Sequence, residues 1–459
     1  DDRFIRRCFR KLTYMHGLFL VFLFVIIGGL FSACETEFEN PNNPTEDVVL
    51  ETKDGLFALA TGIRQYYSIT VLRQVIEAPG ITTRELGVTN TFLNINELAK
   101  GGAELPAESG GITNPWVNLL RAKGMTESLI TGANSVDLSP GSRSGLLAYG
   151  NLFKAMCLGN LIQMFEQAPI NNSEDGTAPF SDRATVLAEC ISLLEEARDA
   201  LTATPMSDEF KSTVLWADIN LQKTINAFLS RYQLLVGNYS GAITAADAVL
   251  NASDATNSMW VYDANNQNPI WNRTVNSADL NPQSNFGLVG AFIPEAGDGR
   301  TDFYLGADAG NANADAGGQA LSEMLGFFAS STSPIPIYLP GEMMLNKAEA
   351  YARQDELDDA VTQLNLVRQK NDDDLGVNAN LPAWTGNETS KSDILDEIYK
   401  NRSIELFLTG LRFGDNKRFY PNFVVPSAAN TTNQRNRNFY PYPTIERENN
   451  PNTPQDPAI

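Results

Sequence analysis

The chain has 459 residues, with 34 Lys and Arg against 55 Asp and Glu, four cysteines and one histidine. A formal charge of −21 argues against a nucleic-acid partner, because phosphate binding needs clustered Lys and Arg. An apolar fraction of 43% suits a folded protein and is too low for a polytopic membrane protein, and the length allows about two to four domains.

Residues 1–34 fall into three parts. Arg3, Arg6, Arg7, Arg10 and Lys11 make a basic start, Leu18 to Phe31 is an uncharged apolar run, and Ser32-Ala33-Cys34 follows. At 1.5 Å per residue the run spans about 21 Å, short of a hydrocarbon core of about 30 Å. A basic start, a short apolar run and small residues before a break describe a secretory signal peptide; the rival reading is an uncleaved anchor helix. Leu30-Phe31-Ser32-Ala33-Cys34 resembles the lipobox of bacterial lipoproteins, with Phe31 where the pattern prefers Leu. The resemblance implies cleavage after residue 33 and lipidation of Cys34, with several acyl chains enough for stable anchoring. Cleavage would remove five of the 34 basic residues, two of the 55 acidic ones and His16, leaving a net charge of −24 and no imidazole. Histidine-dependent triads, zinc sites and haem ligation are then excluded. Residues 34–50, rich in acid, Asn and Pro, read as a tether.

From residue 51 onward the spacing predicts a mainly α body. Apolar periodicity places helices near 51–68, 115–132, 142–166, 183–202, 221–236, 240–251, 341–353, 356–370 and 391–409. Cys157 and Cys190 fall on apolar helix faces and read as buried thiols, with a disulfide between them left open. Two pairs read as helix hairpins of the tetratricopeptide kind, one through Ala227, Tyr232, Ala242 and Ala246, the other through Leu345, Ala348, Ala360 and Leu364. Between the helical blocks, 252–338 is rich in Asn, Asp, Gly and Pro and reads as irregular and functional. A second irregular stretch runs over 371–390, and the last forty residues are again loop-like. The runs Asn311–Asp315 and Asn371–Asp374 imitate the start of an EF-hand loop but fail at the later ligand positions, so no metal site is read there.

Several stretches, in order, resemble the SusD/RagB family of outer-membrane nutrient-binding lipoproteins. The fullest is Arg402-Ser-Ile-Glu405-Leu-Phe-Leu-Thr-Gly410-Leu-Arg412-Phe-Gly-Asp415-Asn-Lys-Arg418, with Thr409 where the family usually has Glu. Glu342 to Ala350, Leu364-Asn365-Leu-Val367-Arg368 and the terminal Tyr440-Pro-Tyr442-Pro…Gln455-Asp-Pro457 follow the same family order. The resemblance implies a single α-rich domain over residues 51–459, with tetratricopeptide-like helix pairs packed against a loop-rich binding half. It also implies a lipid-anchored place on the outer membrane, with no other membrane contact, beside a SusC-like TonB-dependent transporter. The implied role is capture of a glycan or oligosaccharide nutrient without catalysis or cofactor.

Arg402, Glu405, Gly410, Arg412, Asp415 and Arg418 are expected to hold the fold, with Arg402 and Glu405 close enough on one helix to pair. Trp116 reads as core. Sugar binding needs a flat aromatic for the C–H face and polar side chains for hydroxyls, and Trp260, Tyr262, Trp271, Arg300 and Tyr304 supply that composition within 252–338. Two rival functions stand beside this reading. One is a glycoside hydrolase working through two carboxylates, which needs no histidine, although no motif nominates the pair. The other is a protein-interaction scaffold built on the helix pairs.

Overall fold

The computed structural model describes residues 50–216, 218–424 and 435–459. The expected signal peptide (1–33), Cys34 and the rest of the expected tether up to residue 49 lie outside the described residues. A long first helix is built from α1 (Lys53–Tyr66), a π-helical turn (Tyr67–Val71) and α2 (Leu72–Thr82). Thr52 starts it by accepting from the Gly55 amide. The run of helices continues with α3 (Leu93–Lys100), α4 (Gly110–Ser135), α5 (Pro140–Met164) and α6 (Arg183–Ala203). It goes on through α7 (Leu221–Leu235) and α8 (Tyr239–Leu250).

Each of α4 to α8 packs on the next in sequence. After the 252–338 excursion the chain returns, and α9 (Pro340–Arg353) docks on α8 as if nothing had intervened. α10 (Leu357–Arg368) and α11 (Lys391–Glu405) complete that end of the stack. The mainly α fold with its helix pairs is therefore as the periodicity predicts, and both hairpins form. Small side chains explain the close approach: Ala227, Ala242, Ala246, Ala348 and Ala360 are all fully buried.

Two short helices, α12 (Arg412–Phe419) and α13 (Thr444–Asn449), lie in stretches where the sequence shows no helical period. The 252–338 region is less irregular than its composition suggests. It supplies one or both strands to three two-stranded antiparallel ladders: Leu86–Val88 with Leu280–Pro282, Met259–Trp260 with Ile335–Pro336, and Leu305–Asn311 with Ala320–Met324. Among the described residues no helix is long and apolar enough to cross a membrane.

The C-terminal motif is the clasp of the stack. Arg402 grips Asp415 with two hydrogen bonds of 2.9 and 3.1 Å and gives a third to Asn346 at 2.8 Å. Arg418 holds Glu349 at 2.6 and 2.8 Å and reaches Asp415 at 2.7 Å. Arg412 bonds the carbonyls of Phe286 and Ser403. Glu405 does not pair with Arg402 as the spacing suggests; it is taken by Lys370 and Arg300 instead. Gly410 has φ 80°, and a Cβ there would stand 2.5 Å from the Val75 carbonyl oxygen, so only glycine lets this turn lie on α2. Trp116 is fully buried, stacked on Phe180 and bonded to Glu446 at 3.0 Å. Cys157 and Cys190 are separate buried thiols, and burial pushes Cys157 up to about 12.

Candidate ligand-binding site

One flank of the first helix stays uncovered by the stack and is roofed by loops. At its C-terminal half, Arg73, Gln74 and Glu77 of α2 line a cleft of about 150 Å³. Phe92 and Asn94 close one side, Asn114 near the start of α4 another, and Arg273 reaches in from the 252–338 region.

Local chemistry sets each wall. Asn90 accepts from the Phe92 amide at 2.9 Å, and Asn96 donates to the Asn90 and Phe92 carbonyls, which fixes the turn that presents Phe92. The Phe92 ring is 57% exposed. The N-terminus of α4 can approach because Gly111 has no side chain: a Cβ would meet Leu98 at 2.7 Å and the Asn94 carbonyl at 2.9 Å. Arg273 clamps Glu77 through Nε and Nη2 at 3.2 and 3.3 Å and also bonds Asp279. Arg73 stands 4.0 Å from the same Glu77 and keeps much of its side chain in solvent.

Gln74 is the unusual member. It is 92% buried, yet its carboxamide makes no hydrogen bond to any described residue. Its amide oxygen and nitrogen are not among the buried polar atoms that lack a partner, so the stem is covered while the polar end opens to solvent in the cleft. An amide left open on a cleft, between guanidinium groups and an uncovered phenyl ring, is suited to a ligand rich in hydroxyls.

The five candidates named from the sequence separate. Arg300 and Tyr304 are not at a ligand surface. Arg300 is fully buried, bonded twice to Asp298 and once each to Asn401 and Glu405. Tyr304 is also fully buried and donates to the Glu405 carbonyl at 3.3 Å. Loop composition misled there because both residues brace the C-terminal motif. Trp260 is 2% exposed and stacks on Tyr67 at 5.4 Å, so it too is core. Tyr262 and Trp271 are half-buried, Tyr262 at the rim of a second cleft on the same helix and Trp271 in the segment that leads to Arg273.

Sequence reasoning missed Gln74, Phe92, Asn94, Asn114 and Arg273. None belongs to a motif, and they come from four separate stretches. The one local sign was the Asn-rich run Thr89-Asn90-Thr91-Phe92-Leu93-Asn94, which carries an aromatic among turn formers. Elsewhere, a cleft of about 440 Å³ lies under Asp372 and Asp374, but among the described residues no three Asp, Glu, His or Cys side chains are grouped to hold a metal ion.

Residues 328–457 match the model of the SusD family, the stretch that contains the Arg402–Arg418 motif. Among curated proteins none matches the chain. Solved structures share its fold. A SusD superfamily protein from Bacteroides thetaiotaomicron is 17% identical with a TM-score of 0.64, covering 88% of this chain and 100% of that one. A SusD-like carbohydrate binding protein from Bacteroides fragilis is 14% identical with a TM-score of 0.63, covering 88% and 99%. A SusD superfamily protein from Bacteroides vulgatus is 15% identical with a TM-score of 0.66, covering 89% and 99%. The family resemblance read from the sequence is thus borne out: the chain carries the SusD family pattern over residues 328–457 and folds as SusD superfamily proteins do.

Proposed function

We propose that the protein captures a glycan or oligosaccharide in the Arg73–Gln74–Phe92 cleft. The observation that carries this reading is the unbonded Gln74 carboxamide, which opens into the cleft from a largely buried side chain beside an exposed phenyl ring. A pyranose offers an apolar C–H face for Phe92 and hydroxyls for Gln74, Asn94 and Asn114. The carbohydrate binding named for the Bacteroides fragilis structure supports the same ligand class. Tyr262, which lines the second cleft, and Trp271, two residues before Arg273, remain in the proposal as further aromatics.

Binding without catalysis is the favoured chemistry. A glycosidase places two carboxyl groups across the scissile bond, one of them free to give a proton. Glu77, the carboxylate that lines this cleft, is held by Arg273, which also pairs with Asp279.

The lipid anchor at Cys34, the outer-membrane surface location and delivery to a SusC-like TonB-dependent barrel complete the proposal. A glycan array on the 35–459 fragment tests ligand class, with Phe92→Ala expected to lower affinity for any hit at least tenfold. Pull-down through the anchored protein is expected to recover a TonB-dependent barrel, and recovery of none rejects the transport role.

A further inference from the structure

The described residues contain three π-helical turns: Tyr67–Val71, Lys211–Leu215 and Asn272–Asn276. Such turns are rare, take up one extra residue, and gather at functional sites. All three border one strip of the molecule. The first interrupts the long first helix, the second hands over directly to Trp216, and the third carries Arg273 of the cleft already described.

The first turn has a geometric effect. An ideal α-helix rotates about 100° per residue, so Gln65 and Glu77 would stand about 120° apart around the axis. The extra residue takes up most of that drift. Gln65, Ile69, Arg73 and Glu77 therefore share a flank, with the first two on a second cleft of about 230 Å³ and the last two on the Gln74 cleft. At 1.5 Å per residue, Gln65 to Glu77 spans about 18 Å.

The second cleft is built around Trp216. Its backbone sits at φ 53°, ψ −146°, a region that is nearly glycine-only and strained for a bulky residue. The strain does not serve to bury the indole, which stays 51% exposed. It holds the ring with the Arg64 guanidinium 4.0 Å from its centroid, and Arg64 is itself 92% buried. Beside the ring, Gln65 donates to Asn266 at 2.9 Å, and Asp263 accepts from the Asn265 and Asn266 amides. An outward indole backed by a buried cation, with carboxamides and a carboxylate alongside, matches the two faces of a pyranose.

The geometry points to a second pyranose subsite at Trp216, in line with the Gln74 cleft, so that the preferred ligand is a linear oligosaccharide lying along the first helix. This rests on the glycan reading of the first cleft. A monosaccharide would fill either cleft alone; only a chain of several rings gains from both.

Calorimetry of the anchor-free protein against neutral gluco-, xylo- and galacto-oligosaccharide ladders, from monosaccharide to octasaccharide, tests it. For a ladder that binds, affinity is expected to rise at least tenfold with length and then level off. Trp216→Ala is expected to abolish the rise with length, the shortest binding member then being held through the Gln74 cleft alone. Trp216→Gly, which accepts the backbone conformation freely, is expected to raise Tm and lose the same length dependence, whereas an indole needed for folding would make that variant less stable. Length-independent binding by the unmodified protein, or an unchanged length profile in Trp216→Ala, overturns the second subsite and leaves the first cleft standing. Binding to none of the ladders or array glycans overturns the glycan reading and the subsite with it.

Discussion

Arg402, Glu349 and Gln74 are all buried, yet only the first two have partners. In the helix stack, charges taken out of water are matched by others: Arg402 with Asp415, Arg418 and Arg353 with Glu349, Arg231 with Glu342. On the flank of the first helix the pattern reverses. Gln74 is buried without a bond, Phe92 and Trp216 are held in solvent, and Trp216 is held there against its backbone preference. The comparison separates two uses of cost. Buried charge in the stack is offset within the chain and fixes how the helices meet, while the cost on the flank is left for a ligand to offset.

The stack should break hardest. Arg402→Ala leaves Asp415 with Arg418 as its remaining arginine, takes a bond from Asn346 and removes one of three arginines around Glu349. Removing one member of a buried pair typically costs about 3–5 kcal/mol, and the bond that Arg418 keeps to Asp415 sets the expected loss at the lower end of that range. Denaturant unfolding is expected to show a loss of that size. A loss under about 1 kcal/mol would mean that the motif is not the clasp described above.

Acid should act on the same cluster more gradually. Burial opposes ionisation of Glu349, but the charges and hydrogen bonds of Arg418, with Arg353 and Arg402, outweigh it and hold the carboxyl down at about 2. A folded-state value below the unfolded one gives stability that is fully present above about pH 4.5 and is lost as the pH falls toward 2. The shift corresponds to roughly 3 kcal/mol. Glu295, bonded to Arg368 and Lys400, titrates in the same direction but is partly screened by solvent. Unfolding free energy measured across that window is expected to fall steeply, and Glu349→Gln is expected to flatten the slope from a lower plateau.

The two regions also differed in how far the sequence revealed them. The helix pairs were legible because each buries a stripe at 3.6-residue spacing, and Leu345, Ala348, Leu364 and Ala360 carry that stripe without interruption. The second half of the first helix was not predicted beyond residue 68, because the π turn shifts the period and Pro79-Gly80 reads as a break. Arg300 and Tyr304 were misplaced since composition shows a polar loop but not the distant Glu405 that draws them inward. Gln74 had no signal at all. A polar residue on a helix reads as a solvated face, and what buries it comes from residues 92–98, 110–114 and 273, far away in sequence.

The smallest effect on stability is the most informative about function. Gln74→Leu replaces a carboxamide with an apolar side chain of similar size. If the amide were structural, losing it would destabilise the protein. With no bond to the chain and its amide open to solvent in the cleft, it holds nothing in place, and the change is expected to alter the stability of the free protein by less than about 0.5 kcal/mol. The same change deletes the hydrogen bonds offered to a ligand and is expected to weaken glycan binding at least tenfold. Paired unfolding and binding measurements would show affinity falling while stability barely moves, the signature of a group kept for a ligand and not for the scaffold. A destabilised variant with unaltered binding would assign Gln74 to the scaffold and remove the distinction between the two regions.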